Sequence, residues 1–237
     1  MKTHVAAEIG LAHDGSEAFA HAYIEAVADA GADSVKFQYH DEFRDDEPSR
    51  PWRPALGRIL PGLALTRHDY WRATSFAPEV WRRLLDAAHR RDLQFGISVY
   101  GLAAHGALSR YLEPDYWKIP HTAVDRFLDH ELLQRPETVI STPVLPERSG
   151  IPGTTLLTVP KYPIDREEAL AAMPERFPPR TGWSNHCPWP SVSEAALTRG
   201  VAWLEVHVTF DMRIMLPDTS SSVTLEDLRY LCEVAHG

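Results

Sequence analysis

The stretch Trp203-Leu204-Glu205-Val206-His207-Val208-Thr209-Phe210-Asp211 is typical of a buried β-strand that ends in polar residues. Side chains two positions apart on a strand lie on the same face, so Glu205 and His207 point the same way. This pattern predicts a strand of a parallel sheet that presents two functional groups near its C-terminal end.

An earlier stretch, Thr181-Gly182-Trp183-Ser184-Asn185-His186, has the same form, with Ser184 and His186 on one face. Two histidines at the ends of two successive strands predict a metal site. Neutral imidazoles, with a glutamate or water completing the shell, suit Mn²⁺, Zn²⁺ or Fe²⁺. The alternative is that each histidine is solvated or satisfied within the core, which is the commoner state of a lone histidine at a strand end.

The composition is that of a globular chain with one core. The 237 residues are 44% hydrophobic and 24% charged, and α/β barrels of this length commonly form a single domain. A net charge of -9 without a basic run argues against nucleic-acid or anionic-membrane binding. No apolar run reaches the roughly 20 residues of a membrane span. The N-terminus has no signal-peptide pattern and there are only two cysteines, so we expect a cytoplasmic protein.

Lysine is scarce in this chain. Of 24 basic residues only Lys2, Lys36, Lys118 and Lys161 are lysines. Most of them fall in or just after strand-like runs, where compact cations suit an anionic ligand such as phosphate or carboxylate. The alternative is that they are retained by chance.

Strand-like and helix-like segments alternate along the chain. The predicted strands span residues 5–10, 34–39, 93–99, 116–119, 138–142, 154–159, 181–184 and 202–207. The predicted helices span residues 16–31, 78–91, 102–111, 124–133, 165–177, 191–200 and 224–235, and the helix between the fifth and sixth strands is missing or a single turn. This order predicts a (β/α)₈ TIM barrel as one domain over residues 1–237. Residues 40–76, rich in proline and aromatics, predict a long loop or flap.

The active site of such a barrel lies at the C-terminal ends of its strands. Lysines and hydroxyls gathered there can hold a phosphorylated or carboxylated anion. Glu205 has an alternative role as the partner of a lysine in a structural ion pair, and Cys187 is either a reactive thiol or a small filler. The polar residues predicted at this rim are Glu8, His13, Lys36, Gln38, Ser98, Lys118, His121, Ser141, Tyr162, Ser184, His186, Glu205, His207 and Asp218.

Several motifs along the chain form a recognisable set. They are Ala7-Glu8-Ile9-Gly10-Leu11-Ala12-His13-Asp14-Gly15, Gly31-Ala32-Asp33-Ser34-Val35-Lys36-Phe37-Gln38, Tyr116-Trp117-Lys118-Ile119, Tyr162-Pro163, Gly182-Trp183-Ser184-Asn185-His186, Glu205-Val206-His207-Val208-Thr209 and Leu216-Pro217-Asp218. Together they resemble the sialic acid synthase (N-acetylneuraminate synthase, NeuB-like) family. The resemblance implies a TIM barrel that condenses phosphoenolpyruvate with the open-chain aldehyde of an N-acylated sugar, giving a nonulosonic acid and phosphate.

The resemblance also implies roles for individual residues. His186 and His207 match ligands of a divalent metal, Mn²⁺ or Mg²⁺, which would polarise the aldehyde oxygen. Glu8 matches an acidic residue beside the donor, and Glu205 joins Glu8 and the two histidines as a candidate catalytic group. The candidate residues for binding phosphoenolpyruvate are Lys36, Lys118, Ser141, Ser184, Ser98 and His121. The candidate residues for binding the acceptor are His13, Gln38, Tyr162 and Asp218.

The sequence departs from the family pattern mainly on the acceptor side. Asn185 replaces an aspartate, Val99 replaces a phosphate-binding hydroxyl, and Ala123 stands where the family has an acidic sugar contact. Ala12 replaces an asparagine, and the family's C-terminal antifreeze-like domain has no counterpart in this sequence. We therefore expect a donor side that is mostly kept and an acceptor side that is rebuilt or lost.

The favoured interpretation is a metal-dependent transferase that joins phosphoenolpyruvate to an aldehyde or sugar in carbohydrate biosynthesis. One alternative is a metal-dependent lyase or aldolase that acts on another carboxylated substrate. Another is a ligand-binding barrel without catalytic activity. The expected partners are small molecules, and a homodimer is expected by analogy with the family.

Overall fold

The computed structural model describes residues 2–40, 67–145 and 151–237. Eight parallel strands pair in sequence order, and pairing between β1 and β8 closes them into a barrel. A short ninth strand, which was not predicted, pairs with β8 at Val208 and Thr209. The strands are β1 His4–Gly10, β2 Ser34–Tyr39, β3 Gln94–Val99, β4 Tyr116–Ile119, β5 Val139–Thr142, β6 Thr154–Thr158, β7 Thr181–Asn185, β8 Trp203–Thr209 and β9 Val223–Thr224.

Helices connect most of the strands, so the predicted (β/α)₈ fold class is confirmed. Within the described residues, none of the helices is long and apolar enough to cross a membrane. The α-helices are α1 Glu17–Asp29, α2 Arg67–Thr74, α3 Pro78–Arg90, α4 Leu102–Leu108, α5 Arg166–Ala172, α6 Pro190–Thr198 and α7 Leu225–His236. Three 3₁₀ helices span Val124–Phe127, Glu131–Gln134 and Thr219–Ser221.

The helix ends follow from local chemistry. The Ser16 side chain caps α1 by accepting a hydrogen bond from the Phe19 backbone N–H at 3.2 Å. Thr224 and Asp227 form a reciprocal capping box at the start of α7. Each cap satisfies backbone N–H groups that have no partner inside the helix, which fixes where the helix begins.

Two predicted helices differ from those observed. The predicted helix 124–133 is replaced by two 3₁₀ segments, because the His130 side chain accepts from the Leu132 N–H and its own backbone is extended. The predicted helix 165–177 ends at Ala172, because Met173 precedes Pro174 and is extended. In the connection between β5 and β6, the described residues 143–145 and 151–153 form no helix, as predicted.

The predicted flap over residues 40–76 lies mostly outside the described residues, which omit 41–66. Its last part forms α2 rather than an irregular loop. Tyr70 and Trp71 of α2 pack against Leu11, and the Tyr70 hydroxyl donates to the Leu11 carbonyl at 3.3 Å. This contact places α2 beside the loop that follows β1.

The barrel interior is polar towards its C-terminal end and aromatic towards its N-terminal end. Tyr116 and Trp203 pack edge to face with ring centroids 5.1 Å apart, beside Val139 and Leu156. The Tyr116 ring lies so close to Gly96 that a Cβ at that position would overlap it. This packed aromatic layer closes the N-terminal end of the barrel beneath the polar residues.

Candidate active site

A buried group of four charged residues lies inside the barrel; we call Glu8, Lys36, Lys118 and Glu205 the charge cluster. The Lys118 ammonium donates to both Glu205 oxygens, at 2.9 and 3.3 Å. The Lys36 ammonium contacts Glu8 and lies 3.7 Å from Glu205. Buried charges are tolerated when they are paired and hydrogen-bonded, and each of these has such a partner.

Strand register creates this cluster. Parallel pairing sets Glu8 on β1 beside Lys36 on β2 and sets Ser184 on β7 beside Glu205 on β8. The Ser184 hydroxyl donates to Glu205 at 2.7 Å. Because alternate side chains of a strand point inward, the same periodicity that builds the wall directs these polar groups into the barrel.

The charge cluster shifts the ionisation of its members. Burial lowers the pKa of Lys36 to about 7, although Glu205 acts in the opposite direction. Burial would raise the pKa of Glu205, but Lys118 and Lys36 outweigh it and hold that pKa well below its usual value. Two lysines against two glutamates give the cluster a formal charge of zero.

One carboxylate oxygen of the cluster lacks a partner. Glu8 Oε1 is buried and accepts no hydrogen bond from any described residue. It lies near the end of β1, close to Gly10, whose φ is 56°. A side chain at position 10 would meet Glu8 Oε1 and Gln38 Nε2. A buried unpaired acceptor is costly, so this oxygen is a natural position for the proton of a bound ligand or water.

The two histidines predicted from the sequence lie beside each other above this cluster. The ring centroids of His186 and His207 are 5.6 Å apart. Burial lowers the pKa of His186 to about 3 and lowers the pKa of His207 well below its usual value, where His186 and Lys36 add to the effect. Both imidazoles are therefore neutral near pH 7, which is the form that binds metals.

Backbone groups orient His186. Its Nδ1 lies 3.1 Å from the carbonyl oxygen of Val159, which can only accept, so Nδ1 carries the proton and Nε2 carries the lone pair. Asn185 shapes the turn that follows β7, because its side chain bonds to both backbone groups of Cys187 and to Ser193. A fixed tautomer of this kind is common among histidines that bind metals.

Tyr162 and Asp218 adjoin the histidine pair. The Tyr162 ring stacks on His186 at a centroid distance of 3.8 Å, and its hydroxyl oxygen is 2.7 Å from Nε2. Asp218 Oδ2 lies 3.9 Å from His207 Nδ1. Both residues were predicted as acceptor-binding groups, and the structure brings them to the histidines.

The predicted donor-binding hydroxyls fall into two places. Ser98 accepts from the Lys36 ammonium at 2.7 Å, and Ser184 lies between Glu205 and His186 Nε2, 3.5 Å from the latter. Ser141 is further along the wall, where it accepts from the backbone N–H of His121 at 3.1 Å. Burial lowers the pKa of the half-buried His121, so its ring is neutral near pH 7.

Two predicted acceptor residues lie away from the histidines. His13 is packed among aromatic rings, with centroids 4.5 Å from Phe76, 6.0 Å from Phe37 and 6.4 Å from Trp81. Its Nδ1 accepts from the Gly15 N–H at 3.1 Å. Gln38 is half-buried near Glu8, and its amide oxygen accepts from His40 at 3.2 Å. Within the described residues, the hydrogen bonds and ring contacts of these two side chains are with groups other than His186 and His207.

Two positions that depart from the family pattern, and Cys187, are buried among apolar residues. Val99 and Ala123 lie in the hydrophobic core, not among the polar side chains. Cys187 is fully buried, and burial raises the pKa of its thiol, which fits the filler alternative better than the reactive one. Sequence reasoning missed the Val159 carbonyl as the group that orients His186, since backbone acceptors leave no signal in residue identity.

The donor set fits a divalent metal in part. His186 and His207 supply two neutral, neighbouring imidazoles, and one of them has its tautomer fixed. Among the described residues there is no group of three or more His, Cys, Asp or Glu side chains placed to hold a metal. Bound ions with two protein nitrogens would need water or substrate oxygens to complete their shell.

Comparison with protein families gives a match over residues 149–236, which include β6, β7 and β8. The matching family is NeuB. The predicted resemblance is therefore confirmed, and it rests on the part of the chain that carries His186, Glu205 and His207. No curated protein matches the chain.

Solved structures with the same fold cover nearly the whole chain. N-acetylneuraminic acid synthetase from Leptospira borgpetersenii, in complex with citrate, is 18% identical with a TM-score of 0.74 over 99% of this chain and 83% of that chain. A spore coat polysaccharide biosynthesis protein from Bacillus subtilis is 23% identical with a TM-score of 0.72, covering 99% and 67%. DAHP synthase from Thermotoga maritima is 10% identical with a TM-score of 0.63, covering 98% and 67%.

Proposed function

We propose that this protein is an enzyme that condenses phosphoenolpyruvate, or a closely related anionic enol, with an aldehyde or sugar and releases phosphate. The observation that carries the proposal is the position of Ser184. Its hydroxyl is 2.7 Å from Glu205 in the charge cluster and 3.5 Å from His186 Nε2 in the histidine pair. The proposed anion site and the proposed metal site would therefore share one wall of the barrel.

The charge cluster is the proposed donor site. Lys36 and Lys118 are compact cations that can turn from Glu8 and Glu205 towards a phosphate or carboxylate. Ser98 and Ser184 supply hydroxyl donors beside them. The NeuB match and the fold shared with synthases support phosphoenolpyruvate as the anion.

The histidine pair is the proposed metal site, with Mn²⁺ or Mg²⁺ as the ion. Because the charge cluster is formally neutral, an anionic donor needs a further positive charge nearby. When bound, a divalent ion would supply this charge and act as a Lewis acid on the acceptor's carbonyl oxygen. His186 and His207 would hold it, with His186 Nδ1 kept on the Val159 carbonyl.

The reaction forms a bond from C3 of the donor to the acceptor's carbonyl carbon. Water then adds at C2, and the C2–O bond to phosphate breaks. Glu8 is placed to assist the water, since Oε1 is an unpaired buried acceptor and can take its proton. Lys36 and Lys118 would hold the phosphate oxygens as the charge of the leaving group develops.

The test is release of inorganic phosphate from phosphoenolpyruvate with a panel of aldehydes and N-acylated sugars, with and without Mn²⁺. We expect phosphate release that depends on both the acceptor and the metal. Ser184→Ala, which removes the shared hydroxyl, should lower the rate, whereas Ser191→Ala, which removes the acceptor of an exposed hydrogen bond from Arg166, should not. Protein that neither binds phosphoenolpyruvate nor releases phosphate from it would contradict the proposal. Metal-dependent cleavage of another carboxylated substrate would instead favour a lyase.

A further inference from the structure

Tyr162 covers the histidine pair. Its ring stacks on the face of His186 and meets His207 edge on, with ring centroids 5.8 Å apart and planes at 83°. The hydroxyl lies 2.7 Å from His186 Nε2 and donates to the lone pair that a metal ion would use. One side chain thus contacts both candidate metal ligands.

The Tyr162 hydroxyl and a divalent ion compete for the same space. A metal held by an imidazole nitrogen lies about 2.1 Å from it, so an oxygen 2.7 Å from Nε2 stands inside the region where the ion and its other ligands belong. The ring stacked on His186 occupies the same side of the imidazole, so the tyrosine has to leave Nε2 before an ion can bind there.

The Tyr162 side chain is exposed enough to rotate towards solvent, while hydrogen bonds hold the loop on both sides of it. Tyr162 is 52% exposed although its ring stacks on His186. On either side of it the loop is tied to His186, because the Val159 carbonyl accepts from Nδ1 and the Ile164 N–H donates to the His186 carbonyl at 3.1 Å. Rotation of the side chain can uncover Nε2 without moving these anchors.

We propose that Tyr162 is a lid over the His186–His207 pair, and that its ring leaves His186 when a divalent ion binds. The inference rests on the proposed metal-binding function of these histidines. It assigns Tyr162 a role that precedes acceptor binding: the lid opens for the ion, and the freed hydroxyl is then available at the mouth of the site.

The test is Mn²⁺ affinity, measured as free Mn²⁺ by electron paramagnetic resonance. Tyr162→Phe removes the hydroxyl and should bind Mn²⁺ about two- to tenfold more tightly, as expected for loss of one competing hydrogen bond. Tyr162→Ala also removes the stacked ring and should bind at least as tightly. Tyr111→Phe is the matched control, since Tyr111 is 53% exposed and lies beyond α4, and its affinity should equal that of the unaltered protein.

A second readout follows the ring itself. Mn²⁺ should produce a tyrosine difference absorption signal in the unaltered protein and in Tyr111→Phe, but not in Tyr162→Phe. Equal Mn²⁺ affinity in Tyr162→Phe and the unaltered protein overturns the lid, and weaker affinity means that Tyr162 is a ligand instead. Absence of Mn²⁺ binding in all variants overturns the lid and the metal site together. If affinities change as expected but phosphoenolpyruvate yields no phosphate, the lid stands and the proposed reaction fails.

Discussion

The charge cluster and the histidine pair lie in one barrel but are built in opposite ways. In the cluster, Lys118 donates to Glu205, and the neighbouring Ser184 hydroxyl donates to the same carboxylate. In the histidine pair, both rings are neutral and a half-exposed tyrosine covers them. The cluster is set by strand register, whereas the covering of the pair depends on a loop side chain.

This difference predicts how each region responds to change. Removing a member of the cluster leaves a buried charge without its partner, so the unfolding free energy should fall. Removing a member of the histidine pair leaves no uncompensated charge, so the rate of phosphate release should fall more than the unfolding free energy. Single substitutions and the pH dependence of binding would test that division, and the largest effect is expected at Lys118.

Replacing Lys118 with methionine should destabilise the barrel strongly. The change keeps the length of the side chain but takes the main cation from Glu205, whose carboxylate is buried. Loss of one partner of a buried pair costs about 3–5 kcal/mol of unfolding free energy, which denaturant titration would measure. Lys161→Met is the control, since Lys161 forms an exposed pair with Glu168 and its loss should not be measurable. Equal effects of the two changes would contradict the division.

Replacing His207 with alanine should have the reverse profile. We expect metal-dependent phosphate release to fall on the order of a hundredfold or more, because substitutions that only support a metal ligand already cost about 10–100-fold. The unfolding free energy should fall by only about 1–2 kcal/mol. His21→Ala, on the outer surface of α1, should change neither quantity. If His207→Ala unfolds the metal-free protein, the histidine is a structural residue.

Much of the barrel could be predicted because hydrophobic periodicity and local caps determine it. The helix starts near Ser16 and Thr224 and the eight strands were predicted within a few residues. The helix predicted over residues 124–133 was wrong because the fold uses the His130 side chain as a backbone acceptor, an outcome that periodicity does not reveal. Strand β9 was missed because two residues carry no periodic signal.

The site could be predicted in its residue types but not in its pairings. Alternation along the strands placed Ser184 with His186 and Glu205 with His207, and the structure brings these residues together. Which glutamate faces which lysine depends on register between strands that are distant in sequence, such as Lys118 with Glu205. The position of Tyr162 over His186 depends on the path of a loop, which residue spacing does not determine.

Donor affinity should depend on pH through Lys36. An anion binds better to the protonated amine, and the pKa of Lys36 is lowered to about 7 by burial. Affinity for phosphoenolpyruvate should therefore be greatest below pH 7 and fall by up to about tenfold per pH unit above it. Calorimetry between pH 7 and 9 would measure this, because a phosphate with a second pKa of about 6 is already ionised there. Exposed Lys161 should add little to this pH dependence, since its hydrogen bond to Glu168 raises its pKa. Constant affinity over this range would show that Glu8 and Glu205 keep Lys36 charged.

The smallest effect on turnover is expected at His13, although the sequence predicted it to bind the acceptor. Its ring is buried against Phe37, Phe76 and Trp81, and burial lowers its pKa to about 4, so it is neutral and packed as an aromatic residue. His13→Phe removes an unpaired Nε2 but also the acceptor of the Gly15 N–H, and these changes should leave stability within about 1–2 kcal/mol. Steady-state kinetics should show kcat and the acceptor KM altered by less than about twofold, which is the range of surface or packing changes remote from the chemistry. A tenfold rise in the acceptor KM with stability preserved would contradict this packing role. It would show that acceptor recognition extends past the histidine pair to the loop after β1.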